Sequence, residues 1–221
     1  SSRSVQGVVQ AARPLPFIGR PAAEAEGSMA SGMRLRALVL CATAVASSLG
    51  ATPRPPYTEK AKVARWLVHS SDYAVSSTTC SAKRNGCAFV GQPFGDIVSI
   101  SDGNGTQDST GIVYTYLPPE DAATQDLMKD PRMSLTFSEK ALGCDTTAED
   151  PPCARLTIAG SLTPVPAGPE SDKALTYLFS RHPEMKAWSQ AHGFQPYWMA
   201  KENISSFFFI DFYGGGGSFS V

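Results

Sequence analysis

Seven residues near the C-terminus, Phe207-Phe208-Phe209-Ile210-Asp211-Phe212-Tyr213, limit what this chain can fold into. The run is too apolar to face water on either side, so it reads as a strand covered on both faces. It continues a strand that starts at Tyr197 and stops at the flexible Gly214 to Gly217. Such a strand lies at the centre of a barrel or sandwich, and the rest of the chain covers it. Just upstream, Arg181-His182-Pro183-Glu184-Met185-Lys186-Ala187-Trp188 supplies one cover. Pro183 suits the first turn of a helix, where its missing N–H would be unpaired anyway, and Trp188 sets a large apolar surface against the strand.

The elements before it follow from local pattern. Thr58 is placed to cap a helix over Glu59 to His69, with Ala61, Ala64, Leu67 and Val68 on one face. Ser71 to Thr79 is β-prone, and Lys83-Arg84-Asn85-Gly86 supplies an Asn-Gly turn. Phe94 to Ser101 and Gly111 to Leu117 read as strands, separated by the turn Asp102-Gly103-Asn104-Gly105. Pro118-Pro119-Glu120-Asp121 opens a helix with acid in its first turn, and Asp130-Pro131 ends it. Met133 to Phe137 and Ala154 to Leu162 are strands on either side of the loop Glu139 to Cys153. Ser171 to Arg181 is an amphipathic helix with Ala174, Leu175 and Leu178 inward. About six strands with a few short helices, and no strict β-α-β alternation, predict a mainly β, antiparallel barrel with helical plugs.

The N-terminal part reads differently. Residues 1–28 have no apolar periodicity and are expected to be an upstream or disordered leader. Residues 29–51 carry Arg34 and Arg36, a short apolar run from Ala37 to Ala46, and small residues up to Gly50 and Ala51, the three parts of a secretory signal. The apolar run is well short of the ~20 residues that span a bilayer, and no later segment is a candidate span. The expected mature domain is 52–221. It carries fourteen Lys and Arg against eighteen Asp and Glu, a net charge of −4. With no basic stripe among aromatics, direct nucleic-acid binding is not expected.

Secretion implies an oxidising compartment. The mature chain keeps Cys80, Cys87, Cys144 and Cys153, an even set that favours two disulfides. Of three possible pairings, Cys80–Cys87 and Cys144–Cys153 each close a short loop and are preferred. Zinc is the competing reading, but neither pair has the usual gap of about two to four residues, and no histidine lies nearby in sequence.

Several motifs together resemble one family. Gly91-Gln92-Pro93-Phe94-Gly95-Asp96-Ile97-Val98-Ser99-Ile100-Ser101-Asp102-Gly103 is similar to the cellular-repressor, or CREG, family of secreted glycoproteins. So are His69-Ser70-Ser71-Asp72-Tyr73, the Arg181 to Trp188 motif, Ala200 to Ser205, and Asp211-Phe212-Tyr213-Gly214-Gly215. The resemblance runs from about Thr58 to Gly215. It implies the six-stranded split β-barrel of the flavin-dependent pyridoxamine-phosphate oxidases, usually as a homodimer.

That fold raises the question of FMN. Flavin oxidases of the fold hold the FMN phosphate with Arg, Lys and Ser, in part where the third strand meets its helix. Here Tyr116-Leu117 runs into Pro118-Pro119-Glu120-Asp121, which removes N–H donors and adds two carboxylates that repel a phosphate. The strand ending in Ser99-Ile100-Ser101-Asp102 also lacks a basic residue. Arg132, Arg155 and Lys201 are the cations left to serve an FMN. The resemblance points away from the cofactor: members of the family are described as having lost flavin, with a loop filling the pocket. The loop Glu139 to Cys153 is the matching position, and Leu142, Gly143, Cys144 and Asp145 within it are expected to form an interaction surface with the neighbouring dimer groove. A non-catalytic glycoprotein acting through a receptor is therefore expected, with any transcriptional effect indirect. The alternative is an FMN-dependent oxidoreductase; a third reading is a heme- or pyridoxal-phosphate-handling protein of the same barrel.

Other chemistry has little support in the sequence. His69, His182 and His192 belong to no G-x-S-x-G or similar nucleophile motif. Asp72, Asp96 and Asp102 could form a carboxylate cluster, but turn and cap roles suit them better. Asn203-Ile204-Ser205 and Asn104-Gly105-Thr106 are sequons, Asn203 being the one that matches the family. Mannose-phosphate glycans on them would imply delivery to the lysosome by the corresponding receptor.

Overall fold

Strict alternation builds the larger of two sheets. In β4 (Arg132–Ser138) Met133, Leu135 and Phe137 are buried while the residues between them are not, and β5 (Arg155–Ser161) repeats the pattern with Leu156 and Ile158. The computed structural model describes residues 52–106, 108–188 and 190–220; the expected leader, the signal-like segment and Cys41 lie outside the described residues. With β1 (Tyr73–Thr79), β2 (Pro93–Ser99), β8 (Ile204–Ile210) and β9 (Gly217–Ser220), the sheet is six-stranded and antiparallel, in the order β2-β1-β4-β5-β8-β9. Across the core from it lies a three-stranded sheet of β3 (Val113–Leu117), β7 (Gln195–Met199) and β6 (Thr163–Pro164), in the order β3-β7-β6. The molecule is mainly β, a split barrel with helices α1 (Lys60–Ser70), α2 (Ala122–Leu127) and α3 (Pro169–Arg181) at its margins.

The strand covered on both faces is β3, not the Phe-rich run. All five β3 residues are buried, because Val113 and Leu117 enter the barrel core while Tyr114 and Tyr116 pack under α3 with Leu178, Ala174 and Met185. The Phe-rich run alternates instead: Phe209 enters the core, whereas Phe208 is 45% and Tyr213 61% exposed. Nor is Tyr197 to Tyr213 one strand. A 3-10 turn over Lys201–Asn203 divides it into β7 and β8, which belong to different sheets. The glycine-rich stop is a turn that returns the chain, so that β9 pairs with β8. Trp188 packs on Tyr116 of β3 and on Phe194, with ring centroids 6.1 and 5.1 Å apart, not on β8.

Gly160 makes the turn into β8 possible. A Cβ there would lie 2.4 Å from the Asn203 carbonyl oxygen, and the β5–β8 register shifts at that point.

Two of the helices begin later than the sequence predicts, whereas α3 begins earlier, at Pro169 instead of Ser171. Glu59, not Thr58, precedes α1, without a side-chain cap, and α2 starts only after Asp121, whose carboxylate accepts from the Thr124 N–H at 2.8 Å. α2 ends at Leu127, before the expected Asp130. In α1, Val63, Leu67 and Val68 are buried, while Ala61 is exposed and Ala64 half-buried.

Candidate functional site

Two places in this barrel combine chemistry with accessibility. The first is a cavity of about 480 Å³ between α1 and the strands, walled by Val113, Leu156, Ile158, Met199, Phe207 and Phe209. Lys60, Ala61, Ala64 and Arg65 of α1 line its helix side, and Asp102 and Gly111 complete the wall. No residue of the loop Glu139 to Cys153 lines it.

Asp102 lies where the chain bends, and its side chain does more than shape that bend. Its carboxylate is fully buried and accepts from His69 Nδ1 at 2.7 Å and from the Ser109 hydroxyl at 2.6 Å, with Arg181 Nη1 at 3.9 Å. A carboxylate only accepts, so Nδ1 of His69 carries the proton. Arg181 also donates to the carbonyls of His69 and Ser71, groups that the end of α1 leaves unpaired. His182 caps the end of α3, its backbone N–H donating to the Leu178 carbonyl at 2.8 Å, and its ring Nε2 donates to the Ile100 carbonyl at 2.8 Å. The motif Arg181-His182 thus ties α3 to α1 and to the residue after β2. These groups are all satisfied by one another, which makes the cluster a structural tie.

The second place is the loop Glu139 to Cys153 with the aromatics beside it. Glu139 is anchored by Arg54 at 2.8 Å and by the Ala154 N–H at 2.9 Å, and Lys140 Nζ donates to the carbonyls of Cys144 and Thr146, both at 2.9 Å. Asp150 accepts from Thr146 at 2.5 Å and from the Tyr213 hydroxyl at 2.6 Å, bonds that hold its carboxyl below the usual range and the Tyr213 phenol above its own. Leu142, Gly143 and Asp145 are exposed and Cys144 partly so. Tyr213 stands edge-on to Phe212, which stacks on Tyr57 at 4.4 Å, and all three rings are exposed.

The cysteines divide. Cys80 and Cys87 are bonded, stapling the loop that joins β1 to β2 around the Asn85-Gly86 turn. Cys144 and Cys153 are free thiols instead of the expected second bridge. Burial, then a hydrogen bond with Cys144, pushes the Cys153 thiol up to about 12, so it remains protonated and a slow nucleophile. The Cys80 and Cys87 sulfurs and the Asp126 carboxylate lie within 4.8 Å of one another. The disulfide consumes both thiolates and Asp126 is occupied by Arg84, so this group has no free ligand set for zinc.

The three cations left for an FMN phosphate do not converge. Arg132 is exposed and forked onto Asp130, at 2.5 to 3.0 Å, which holds that carboxyl down at about 2. Arg155 lies at the other end of the β4–β5 ladder, where it pairs with Ser138 and donates to the Glu149 carbonyl; six residues of strand, about 20 Å, separate the two. Lys201 is exposed in the turn before β8. At the β3–α2 junction Asp121 already occupies the Thr124 N–H, and no basic side chain stands among Pro118 to Asp121. These residues do not fit a phosphate dianion. Of the sequons, Asn104 is exposed, whereas Asn203 is half-buried with its amide 3.5 Å from the Thr163 hydroxyl.

Asp211, at the end of β8, is the one acid in this region with an unmet need. It is buried, and neither carboxylate oxygen has a hydrogen-bond partner among the described residues. Burial raises its pKa, Lys60, Arg54 and the nearness of its own backbone N–H lower it, Glu139 raises it, and the net is upward. A carboxyl with a raised folded pKa destabilises the fold once ionised, and stability is regained as pH falls through that pKa. Asp211→Asn is therefore expected to raise the melting temperature by a few degrees above the folded pKa of Asp211 and to change it little once pH has fallen below that pKa. Thermal melts of both proteins across that range check this; an equal effect at every pH would remove the ionisation from the account.

Comparison with known proteins agrees with this geometry. A family model described as "CREG, beta-barrel" matches residues 55–220. Protein CREG1 of Mus musculus is 36% identical over 167 residues, covering 74% of this chain and 72% of the mouse protein. Protein CREG1 of Gallus gallus is 34% identical over 181 residues, covering 80% and 90%. Among solved structures, a heme binding protein from Mycobacterium smegmatis superposes with a TM-score of 0.56 at 18% identity, covering 76% of this chain and 60% of that one. Campylobacter jejuni ChuZ gives 0.52 at 11% identity, covering 70% and 56%. At those identities the likeness carries the fold alone, and this chain spans less than two thirds of either protein. By its matching residues and its barrel, the chain belongs to the CREG family.

Proposed function

We propose that this protein is a secreted or lysosomal glycoprotein that works without catalysis, by binding a receptor that acts in growth and differentiation or in endolysosomal function. The exposed aromatic group Tyr57, Phe212 and Tyr213, tied to the loop Glu139 to Cys153 through Asp150, carries this reading. Contiguous exposed aromatics mark interaction surfaces, because their area is gained only when a partner covers it. The loop is braced at Glu139, Lys140 and Asp150, so little order has to be imposed on binding. The scatter of Arg132, Arg155 and Lys201 favours this reading over an FMN-dependent oxidoreductase.

A homodimer is part of the proposal. One row across the outer face of the large sheet runs Ile97, Val75, Thr136, Thr157, Phe208 and Ser218, by the register of successive pairs. It holds no charge, and Ile97, Val75 and Phe208 are exposed in the single chain, which suits a second copy. Glycans on Asn104 and Asn203 would address the protein to a mannose-phosphate receptor.

The test is binding of the labelled, secreted protein to cultured cells with free mannose 6-phosphate present, which removes the glycan-borne part. Saturable binding that drops at least tenfold in Phe212→Ser/Tyr213→Ser is the expected result. FMN is titrated into the same samples, with sedimentation returning twice the chain mass. One FMN bound per chain at micromolar concentration would replace this reading with the oxidase, and unchanged cell binding by the variant would move the receptor surface elsewhere.

A further inference from the structure

The cavity between α1 and β8 has a built shape that the receptor reading leaves unused. Its volume of about 480 Å³ falls within the range of small-molecule sites, roughly 300–1,000 Å³. Two sequence features open it. Ala61 and Ala64 line the helix side of the cavity with side chains of a single methyl, while Val63, Leu67 and Val68 fix the helix in the core. Gly111, at φ +76°, has no side chain, and a Cβ there would lie 2.9 Å from both terminal nitrogens of Arg65.

Arg65 therefore lies flat against the bare backbone of Gly111, with its charge at the margin of an apolar cavity. It makes no hydrogen bond or ion pair among the described residues. The other charges nearby are committed: Lys60 donates to the Gly215 carbonyl at 2.9 Å and faces Asp211, while Asp102 is bonded to His69 and Ser109 and faces Arg181. A deep apolar chamber with one uncommitted guanidinium matches a molecule with a hydrocarbon body and a single anionic end.

We propose that this cavity binds a long-chain carboxylate, a fatty-acid anion, with the chain among Val113, Leu156, Ile158 and Phe209 and the carboxylate on Arg65. A flavin is a poorer match, because these walls give the polar edge of its ring system no partners. The site shares no residue with the Tyr57–Phe212–Tyr213 surface, so occupancy here and receptor binding are separately measurable.

The experiment uses the secreted protein and an 11-carbon carboxylate with a dansyl reporter, displaced by octanoate, decanoate and dodecanoate. Saturable binding of one probe per chain is expected, with displacement strengthening about fourfold per added methylene until the cavity is full. Arg65→Gln, at an exposed position, is expected to weaken the carboxylates about tenfold and leave decanol unchanged. Ala64→Phe fills the chamber and is expected to abolish binding of both, with a melting temperature at or above the parent's. If that variant melts lower, Arg65→Gln alone decides. No saturable binding, or affinities indifferent to Arg65→Gln, overturns the proposal.

Discussion

Asp102→Ala is expected to lower stability by about 3–5 kcal/mol, the loss that follows when one member of a buried charge cluster is removed. The carboxylate is inaccessible to water and holds His69 Nδ1 at 2.7 Å and Ser109 Oγ at 2.6 Å. Its loss leaves Arg181, itself almost wholly buried, with only the carbonyls of His69 and Ser71 to face its charge. The damage should spread, because the same residues tie the end of α1 to the end of α3. Asp102→Asn keeps the shape and one acceptor, so a smaller loss is expected. In a domain of this size the alanine variant should melt roughly 6–20 °C lower. Urea denaturation checks the free energy directly; a loss below about 1 kcal/mol would mean that the cluster costs as much in desolvation as it returns.

None of this cluster was legible in the sequence, for a physical reason. Asp102 lies 33 residues from His69, and Arg181 lies 112 from it, so only the tertiary fold brings them together. Read locally, Asp102 in Asp-Gly-Asn-Gly is a turn residue. The strands β4 and β5 were legible because a period of two over Met133, Leu135 and Phe137 or Leu156 and Ile158 has one structural meaning. The Phe-rich run misled because hydrophobicity reports that a surface wants cover, and says nothing about whether the same chain supplies it. The outer face of β8 stays exposed at Phe208, whereas β3 receives α3. The turn at Lys201–Asn203 and the return strand β9 were hidden for a similar reason: Gly214 to Gly217 permits both an end and a reversal. On α1, the spacing placed Leu67 and Val68 in the core correctly, whereas Ala61 is exposed and Ala64 half-buried beside the cavity. The disulfide at Cys80–Cys87 was readable from the Asn-Gly turn it closes. The free pair Cys144 and Cys153 shows that equal loop shortness does not settle bonding.

The second large loss is expected at Asp126→Ala, again about 3–5 kcal/mol, and here the pH dependence has a definite sign. Arg84 forks onto Asp126 at 2.9 and 2.6 Å, Thr78 and the Ser81 N–H complete its shell at 2.9 and 2.7 Å, and Arg84 also reaches the Ala122 carbonyl. Burial pushes the Asp126 carboxyl up, but the hydrogen bonds from Arg84, Ser81 and Thr78 outweigh it and hold the pKa below the ordinary value. Its stabilisation is therefore complete above the unfolded pKa, near 4, and is lost as pH falls through the lowered folded value. Arg84 sits inside the loop closed by Cys80–Cys87, so the bridge restricts Arg84 before Asp126 captures it. Opening the bridge by Cys80→Ser/Cys87→Ser is expected to cost about 2.5 kcal/mol on loop entropy alone. A double-mutant cycle with Asp126→Ala should return a coupling above about 0.5 kcal/mol, since both act through Arg84; strict additivity would show that the two fasten the hairpin independently. Asp211 works in the opposite sense, gaining stability for the fold as it takes up a proton. As pH falls, then, Asp211 returns what its ionisation removed when its raised folded pKa is passed, while Asp126 gives up its stabilisation only as pH falls through its lowered value. The two carboxylates thus set opposite slopes of stability against pH, which urea denaturation across the acid range separates.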